Sequence, residues 1–342
     1  MKKSFLSLVL IISASIFAHA QSVSWTPETI KAMTADWKGE RSADGRPKIS
    51  DGLLERLKNV HMEEAWAFLR GKGYANQFEN FSGESENPWN ILHPNQVMTG
   101  RVVTAQFVPL RLDLDDYVQA QCKKENNPLK ITNSLPINIL TEGDVYVADG
   151  YGKVVDGTLI GGNLANAIYN ASKRGFIFNG SIRDVEQNEE VKGMNGWYKG
   201  SDPSYISQMM LTSVNAPIRI GRTTVLPGDV VLAKSTGVMF IPAQFVQDLV
   251  LDGEVTALRD DFTFMRIADK TYEYKNESFV GGWSETIDKD FVNWATTKAK
   301  LSMPKEELMA YLTAHPRVRP ARPAGAPAPA PAARPTPPRT QQ

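Results

Sequence analysis

The clearest hydrophobic periodicity in the chain begins just after a pair of glycines. Leu164, Ala167, Ile168 and Ala171 recur at i, i+3, i+4 and i+7, which predicts an amphipathic helix. Asn163 immediately precedes this pattern and is a residue type that favours the N-cap position. The pattern therefore predicts a helix that begins at Asn163.

The end of this helix and the next strand are also indicated by the pattern. Lys173-Arg174 should occupy the last helical turn, and Gly175 just beyond it is a typical helix stop. Phe176–Phe178 is a short apolar run that predicts a buried strand, which Asn179-Gly180 should end.

The lengths of this helix and of the following strand predict where Arg183 and Asp184 lie. A helix of about twelve residues rises roughly 18 Å, and the extended return to Arg183 covers roughly 26 Å. In a strand–helix–strand unit, Arg183 and Asp184 would therefore lie beside the start of the helix, where free amides attract anions. Those amides belong to Gly161, Gly162, Asn163 and Leu164. The alternative is an ordinary unit with a surface Arg-Asp pair, and spacing alone leaves it open.

Residues 21–96 are predicted to form a helical N-terminal region. Thr26-Pro27-Glu28 and Ser50-Asp51 are helix starts. A third amphipathic stripe consists of Met62, Ala65, Trp66 and Leu69. We assign Trp66 to core packing, and the alternative is that it lines a pocket. Polar residues 82–95 predict a loop.

From residue 97 the pattern changes to strands and predicts a core at 97–255. Val97–Val108 and Asn138–Leu140 have β-type composition. Gly143–Gly150 and Pro227–Ala233 share a turn-plus-strand pattern, so we expect two related halves of a β-rich core. Helices resume after Pro242, and a helical C-terminal extension is expected at 256–314. Its two further helices should lie near Phe291–Lys300 and Lys305–Ala314.

The two ends of the chain have distinctive compositions. Lys2-Lys3, an apolar run at Phe5–Phe17 and Ala18-His19-Ala20 are typical of a cleaved secretory signal at residues 1–20. We therefore expect an exported protein, periplasmic or extracellular, without a membrane span. Residues 315–342 are rich in Pro, Ala and Arg and predict a disordered tail.

Charge and side-chain chemistry exclude several classes of protein. Two of the 38 basic residues are lysines in residues 1–20, and five are arginines in residues 315–342. The rest of the chain therefore has 31 basic residues and 38 acidic ones. This mildly acidic body does not indicate nucleic-acid binding. The single cysteine, Cys122, excludes an intramolecular disulfide and predicts a buried thiol. No histidine spacing typical of a metal site occurs.

One glycine-containing segment superficially suggests a nucleotide or methyl-donor loop. Val147–Gly152 lacks the third glycine of the dinucleotide pattern, because Val155 stands there. Tyr151 occupies the position where a methyl-donor loop requires glycine. We therefore do not predict either cofactor.

Several of these segments together resemble the RraA-like family. This family comprises the regulators of ribonuclease activity A and the class II 4-hydroxy-4-methyl-2-oxoglutarate aldolases. The run Gly143–Asp184 carries the strongest resemblance, and Met98–Pro109 and Ala216–Pro242 are similar to its flanking segments in the same order. Val255–Phe262 and Trp283–Trp294 resemble the C-terminal extension of longer members.

The resemblance implies a fold, an assembly and a site. The fold would be α/β, a swivelling β/β/α sandwich with helical N- and C-terminal additions, assembled as a homotrimer or hexamer. Amides at Gly161, Gly162, Asn163 and Leu164 would bind the acid end of a small 2-oxo acid. Arg183 would bind the pyruvyl group and stabilise its enolate, and Asp184 would hold Mg²⁺ or Mn²⁺. One carboxylate can suffice, because magnesium retains several waters.

Three positions depart from the pattern of the family. Gly162 stands where many members have an acidic residue, and Gln187 replaces an acidic residue three positions after Asp184, although Glu186 is adjacent. Lys234 also replaces a position that is often acidic. Loss of a proton-transfer group typically costs about 10²- to 10⁴-fold in rate.

The sequence therefore leaves functions of different classes open. The favoured one is a metal-dependent lyase that cleaves a 4-hydroxy-2-oxo acid to pyruvate or decarboxylates oxaloacetate. The alternative is a non-catalytic oligomeric ring that binds a small carboxylate or a partner protein. A methyltransferase is disfavoured by the broken glycine loop.

Overall fold

The computed structural model describes residues 23–79, 89–124, 132–272 and 283–315. The expected signal peptide at residues 1–20 and the expected tail beyond residue 315 lie outside these ranges, as does part of the polar segment at 82–95. Within the described ranges, the helices are α1 (Pro27–Met33), α2 (Asp51–Leu57), α3 (Met62–Gly71), α4 (Leu112–Lys124), α5 (Leu135–Asn138), α6 (Gly162–Ser172), α7 (Val185–Glu189), α8 (Val246–Ala268), α9 (Glu285–Thr297) and α10 (Lys305–Ala314).

Strands in the described ranges form one large mixed sheet and a small hairpin. They are β1 (Phe78–Glu79), β2 (Asn90–Ile91), β3 (Met98–Pro109), β4 (Asp144–Asp149), β5 (Thr158–Ile160), β6 (Phe176–Ile182), β7 (Gly196–Ser201), β8 (Met209–Val214), β9 (Ile218–Ile220), β10 (Thr223–Val225), β11 (Val230–Lys234) and β12 (Gly237–Ile241). The sheet order is β1-β12-β11-β3-β4-β6-β7-β2, with β5 beside β6 and β8 beside β3, and β9 pairs with β10. This arrangement confirms the predicted α/β class with helical additions at both ends of the sequence.

Most predicted elements are confirmed. The exceptions are one strand, one core residue, the end of β6 and both ends of α6, which stops at Ser172 with Lys173 as its left-handed C-cap. The helix starts at Thr26 and Ser50 cap α1 and α2 through their side-chain oxygens. The segment Asn138–Leu140 is not a strand, because Asn138 ends the short helix α5. Trp66 is not a core residue: its exposed fraction is 40%, and the guanidinium of Arg70 lies 5.0 Å from its ring centroid. The core-facing stripe of α3 is therefore narrower than the sequence pattern suggested.

Strand β6 continues through the residues that were expected to end it. Asn179 remains in the strand because its side-chain amide donates to the carboxylate of Asp149 at 2.7 Å, which satisfies a buried polar group. Asp149 also accepts from the backbone N–H of Tyr151 at 3.0 Å. The glycine-containing segment after β4 is therefore a hydrogen-bonded turn, and β6 extends as far as Ile182.

The repeated turn-plus-strand pattern is confirmed as a local motif. Gly143 and Gly228 both adopt left-handed backbone conformations, with φ of +88° and +86°, which favour glycine. The following residues, Asp144 and Asp229, begin or precede the strands β4 and β11. These two strands flank β3 on opposite sides within one sheet, so the repeats meet in a single layer.

Helices cover the sheet through two groups of buried apolar residues. Helix α6 contributes Ala165 and Ile168 to a cluster that includes Phe176 and Phe178 of β6. Helices α2 and α3 pack with β11, β12 and the start of α8 in a second cluster. Cys122 is buried in the first cluster, as predicted for an inert thiol. The N-terminal helices therefore belong to the same compact unit as the sheet, which extends to Gly253.

The second compact unit begins at Glu254. Its described part contains an aromatic cluster in which the ring of Phe262 lies 5.5 Å from the rings of Trp283 and Phe291, between centroids. Such tilted and edge-on ring pairs add to the stability gained by burial. Within the described part of the chain, no helix has the length and hydrophobicity that crossing a membrane requires.

A buried ion pair fixes the segment before α2 against the sheet. The guanidinium of Arg46 donates from Nη1 and Nη2 to the two carboxylate oxygens of Asp144, at 3.1 and 3.0 Å. Arg46 also donates to the carbonyl of Val102 at 3.2 Å and pairs with Asp44 at 2.7 Å. The side chains of Arg46 and Asp144 are 1% and 0% exposed, so neither charge has water as an alternative partner.

Replacement of Arg46 by alanine should strongly destabilise the protein. The change leaves the buried Asp144 carboxylate without its bidentate partner, which typically costs about 3–5 kcal/mol of unfolding free energy. Lys48→Ala is the control, since Lys48 pairs with Glu40 at the surface and should contribute about 0–1 kcal/mol. Urea unfolding of both variants measures the difference, and equal midpoints would contradict the assigned importance of the buried pair.

Candidate functional site

The candidate site lies where the strand–helix–strand unit β5–α6–β6 closes on itself. Strands β5 and β6 are parallel, with Ile160 opposite Ile182. The backbone N–H of Arg183 donates to the carbonyl of Ile160 at 2.9 Å, so the end of β6 is bonded directly to the end of β5. Helix α6 begins two residues after Ile160. This arrangement brings residues 161–164 together with residues 183–184, as the chain lengths predicted.

The start of the helix differs from the sequence prediction by two residues. Gly161, in an extended conformation, is the N-cap, and Asn163 lies inside the first turn. The side chain of Asp184 explains the difference, because its Oδ2 accepts a hydrogen bond from the backbone N–H of Gly162 at 3.1 Å. A carboxylate from the turn after β6 thus caps the helix, and a local asparagine cap is not required.

The charged pair at this helix start is partly open to solvent. Nε of Arg183 lies 3.8 Å from Oδ2 of Asp184, and the two side chains are 44% and 37% exposed. Asp184 has a left-handed backbone conformation, with φ of +55° and ψ of +46°, at the turn that starts α7. An exposed ion pair of this kind contributes little to the stability of a fold. Non-glycine residues with a left-handed backbone often occur at functional sites. Both features are therefore typical of a functional site.

A side chain at position 161 or 162 would displace different neighbouring side chains. A Cβ at residue 161 would overlap the carboxylate of Asp184 and lie 2.9 Å from Nε of Arg183. At residue 162 it would overlap Oε1 of Gln187 and lie 3.0 Å from Cβ of that residue. Gly161 therefore leaves room for Arg183 and Asp184 in their present positions, and Gly162 leaves room for Gln187.

These residues line a cavity of about 530 Å³, a size within the range of small-molecule sites. Gly161, Asn163, Leu164, Arg183 and Asp184 all contribute to its wall. Gly162 contributes indirectly, through its hydrogen bond to Asp184. Sequence reasoning missed other wall residues, which come from a single 3-10 turn and from a loop, neither of which has a hydrophobic period: Asn133, Ser134, Tyr205 and Ile206.

Two of the missed residues have properties suited to a ligand site. Asn133 donates from Nδ2 to the carbonyl of Leu159 at 2.7 Å, and its buried Oδ1 has no hydrogen-bond partner among the described residues. Tyr205 also lines the cavity, and 69% of its surface is exposed. The sequence offered one weak signal, the turn-forming Asp202-Pro203-Ser204 segment just before Tyr205.

The oxygen atoms present fit a hard divalent cation bound mainly through water. Oδ1 of Asp184 has no hydrogen-bond partner within the described residues. Gln187 supplies a neutral side-chain oxygen in the same cavity wall. Among the described residues, no three His, Cys, Asp or Glu side chains are placed to hold one metal ion together, and magnesium can be held by only one or two protein carboxylates. Lys234 lies elsewhere, in β11, and donates to the carbonyl of Val60 at 2.7 Å.

A known family shares most of this sequence. A family model described as RraA-like, Aldolase/RraA, matches residues 47–240, more than half of the chain. The chain therefore belongs to the RraA-like family. Among solved structures, this chain is similar to Streptomyces coelicolor RraAS2, described as an unusual member of the RNase ES inhibitor RraA protein family. The match covers 67% of this chain and 100% of the RraAS2 chain. Its TM-score is 0.51 at 23% identity, a likeness that shows the fold alone.

Sequence relatives carry aldolase names. A 4-hydroxy-4-methyl-2-oxoglutarate aldolase of Thermus thermophilus is 29% identical over 113 residues, which cover 32% of this chain and 68% of that protein. An Arabidopsis thaliana protein, provisionally named 4-hydroxy-4-methyl-2-oxoglutarate aldolase 3, is 33% identical over 99 residues. The matched part spans 29% of this chain and 58% of the Arabidopsis protein.

Gly161→Ala should disrupt the site without unfolding the protein. The added methyl group displaces the Asp184 carboxylate and the Arg183 guanidinium, and displacement of such supporting contacts typically costs about 10- to 100-fold in metal affinity or activity. Gly52→Ala in α2 is the matched control, because its Cβ would meet nothing within 4 Å. Calorimetric titration with Mn²⁺ measures the effect, and equal affinities for the two variants would contradict this role of Gly161.

Proposed function

We propose that the protein is a divalent-metal-dependent lyase acting on small 2-oxo acids, with Mg²⁺ or Mn²⁺ as cofactor. The supporting observation is that the Arg183 guanidinium, the Asp184 carboxylate and the first turn of α6 meet at one cavity. Family membership and the aldolase names of the relatives favour the same class of reaction. The reaction is retro-aldol cleavage of a 4-hydroxy-2-oxo acid to pyruvate, or decarboxylation of oxaloacetate.

The helix start binds the substrate carboxylate in this proposal. The Gly162 amide already donates to Asp184, so the amides of Asn163 and Leu164 are the ones available to the acid. Amides in the first helical turn lack partners inside the helix and attract anions. Both residues line the cavity. The substrate would therefore lie with its acid end at α6 and its oxo group towards Arg183.

Arg183 stabilises the charge that develops during bond cleavage. Breaking the bond between C3 and C4 of a 2-oxo acid moves an electron pair towards the C2 oxygen, which becomes an enolate oxygen. The guanidinium donates hydrogen bonds to this oxygen, and its planar fork suits a 2-oxo carboxylate better than lysine would. Asp184 would hold the divalent cation, which when bound supplies Lewis-acid stabilisation of the same charge.

The composition of the wall favours decarboxylation over retro-aldol cleavage. Retro-aldol cleavage requires a base to remove the proton of the 4-hydroxyl, whereas decarboxylation releases CO₂ and needs no such base. Among the described wall residues, Asp184 is the only carboxylate, and Gln187 is not ionisable. We therefore propose oxaloacetate-type substrates as the better ones for this chain.

Pyruvate release by the purified mature protein tests the proposal. With Mg²⁺ and oxaloacetate, the wild type should form pyruvate, and Arg183→Ala should reduce kcat/KM by about 10²- to 10³-fold through loss of charge stabilisation. Arg111→Ala is the control, because Arg111 is an exposed arginine that pairs only with Asp113 among the described residues. Equal absence of turnover in the wild type and Arg183→Ala across several oxo acids would refute the lyase.

Gln187→Glu should restore a base at the cavity wall. We expect the variant to raise the rate of retro-aldol cleavage of 4-hydroxy-4-methyl-2-oxoglutarate by about 10²-fold. The metal-dependent decarboxylation rate should change much less, because that reaction uses no base at this position. Pyruvate release from the two substrates, measured in parallel, separates these effects. Equal changes in both rates would argue against Gln187 as the group that limits the aldol reaction.

The second candidate is a non-catalytic ring that binds a small carboxylate or a partner protein. Gly162 and Gln187 favour it, because neither supplies an acid or base. Calorimetry that shows oxo-acid binding without pyruvate release would support this function. A metal-dependent cleavage rate would exclude it.

Assembly and location form part of the proposal. We infer a homotrimer or hexamer in which the exposed Tyr205 side of the cavity lies near a subunit boundary. We also infer export to the periplasm or the extracellular space, because residues 1–20 have the pattern of a signal peptide. Light scattering measures the assembly, and N-terminal sequencing of the secreted protein identifies the cleavage site.

A further inference from the structure

A second cavity is lined by residues other than those of the oxo-acid site. Its wall contains a buried aspartate that the proposed reaction does not use. Its volume is about 250 Å³, and its wall includes Asp229, Asp36, Tyr74 and Gln77. It shares no lining residue with the cavity at Arg183. Asp229 is only 4% exposed, so water does little to neutralise its charge.

The repeated turn in this chain provides an internal comparison. In both copies, the aspartate side chain accepts a hydrogen bond from the backbone N–H three residues earlier: Thr141 to Asp144 at 2.9 Å, and Leu226 to Asp229 at 2.8 Å. Asp144 is then neutralised by the bidentate guanidinium of Arg46, and Nε of Arg101 lies 3.5 Å away. The fold thus supplies a guanidinium to the first of the two equivalent carboxylates.

Asp229 has no such partner within the described residues. The one hydrogen bond that its side chain makes there is from Leu226 to Oδ2, so Oδ1 is left without a donor. The described cavity wall contains no Lys, Arg or His. A buried carboxylate without a counter-charge is costly, and a neighbouring cavity offers space for a cation to supply one.

The other charged and titratable groups around the cavity do not supply a positive charge to Asp229. Asp36 and Tyr74 are the other titratable residues of the described wall, and Asp36 adds negative charge. The nearby arginines have other partners. Arg41 donates to Thr34 and to backbone carbonyls, Arg46 binds Asp44 and Asp144, and Arg101 binds Ile49, Asp51 and Glu142.

We propose that this cavity binds a small molecule bearing an alkylguanidinium group, which pairs with Asp229 as Arg46 pairs with Asp144. The guanidinium donates to the free Oδ1, and the Asp36 carboxylate adds attraction at the wall. Tyr74 contributes an aromatic ring to the wall, a group that attracts cations. The volume is below the usual range for drug-sized ligands, so the ligand is a small one.

Proton binding at Asp229 competes with this ligand. Burial raises the pKa of Asp229 to about 7, although the hydrogen bond from Leu226 lowers it. A carboxyl with that pKa is about one-tenth ionised at pH 6 and about nine-tenths ionised at pH 8. Since only the ionised form attracts the guanidinium, affinity should rise about tenfold between these two values.

Titration calorimetry with methylguanidinium chloride on the mature full-length protein tests the proposal, at constant ionic strength and at pH 6 and pH 8. Methylurea is the matched ligand control, because it has nearly the same shape without the charge. We expect binding of methylguanidinium, about tenfold tighter at pH 8, and no binding of methylurea.

Two variants locate the binding to this cavity. Asp229→Asn should abolish methylguanidinium binding at both pH values while it keeps an oxygen for the Leu226 hydrogen bond. Asp36→Asn should weaken binding a few-fold and preserve the change between pH 6 and pH 8. Equal binding of methylurea, a pH-independent affinity or wild-type affinity in Asp229→Asn would overturn the proposal. If Asp229→Asn does not fold, the methylurea comparison and the pH dependence decide the matter.

Discussion

The hydrogen bond between the Gly162 amide and the Asp184 carboxylate is the contact on which the site depends. It joins the start of a helix to the end of the strand that follows that helix. Because β5 and β6 are parallel and bonded through Ile160 and Arg183, both ends of the crossover meet at the same edge of the sheet. The carboxylate is then held by a backbone donor, and the guanidinium of Arg183 lines the same cavity.

The sequence predicted this meeting because helix rise and strand length are nearly constant quantities. It could not predict the exact start of α6, since the capping group, Asp184, comes from a distant position in the chain. Sequence rules consider only neighbouring residues, so they favoured Asn163 as the N-cap. Strand β6 passed through Asn179 because Asp149 on the neighbouring strand satisfies its amide. In both of these cases a tertiary contact replaced a local signal. Asn133, in a single 3-10 turn, and Tyr205, in a loop, carried almost no signal at all.

Two of the three departures from the family pattern, Gly162 and Gln187, are linked in space. A side chain at residue 162 would overlap the Gln187 amide, so the small residue at one position accommodates the side chain at the other. Neither of these two positions supplies an ionisable group, and Asp184 is the only carboxylate in the described cavity wall. Such a wall suits a reaction that requires charge stabilisation but no base, and this is the reason for our proposal that decarboxylation is the better reaction for this chain.

A crystal structure of the mature protein with Mn²⁺ and oxalate, an enolate mimic, tests the central claim most directly. The account predicts anomalous density for manganese beside Asp184, with oxalate contacting Arg183 and the amides of Asn163 and Leu164. Manganese bound elsewhere, or oxalate absent from this cavity while the protein is active, would contradict it.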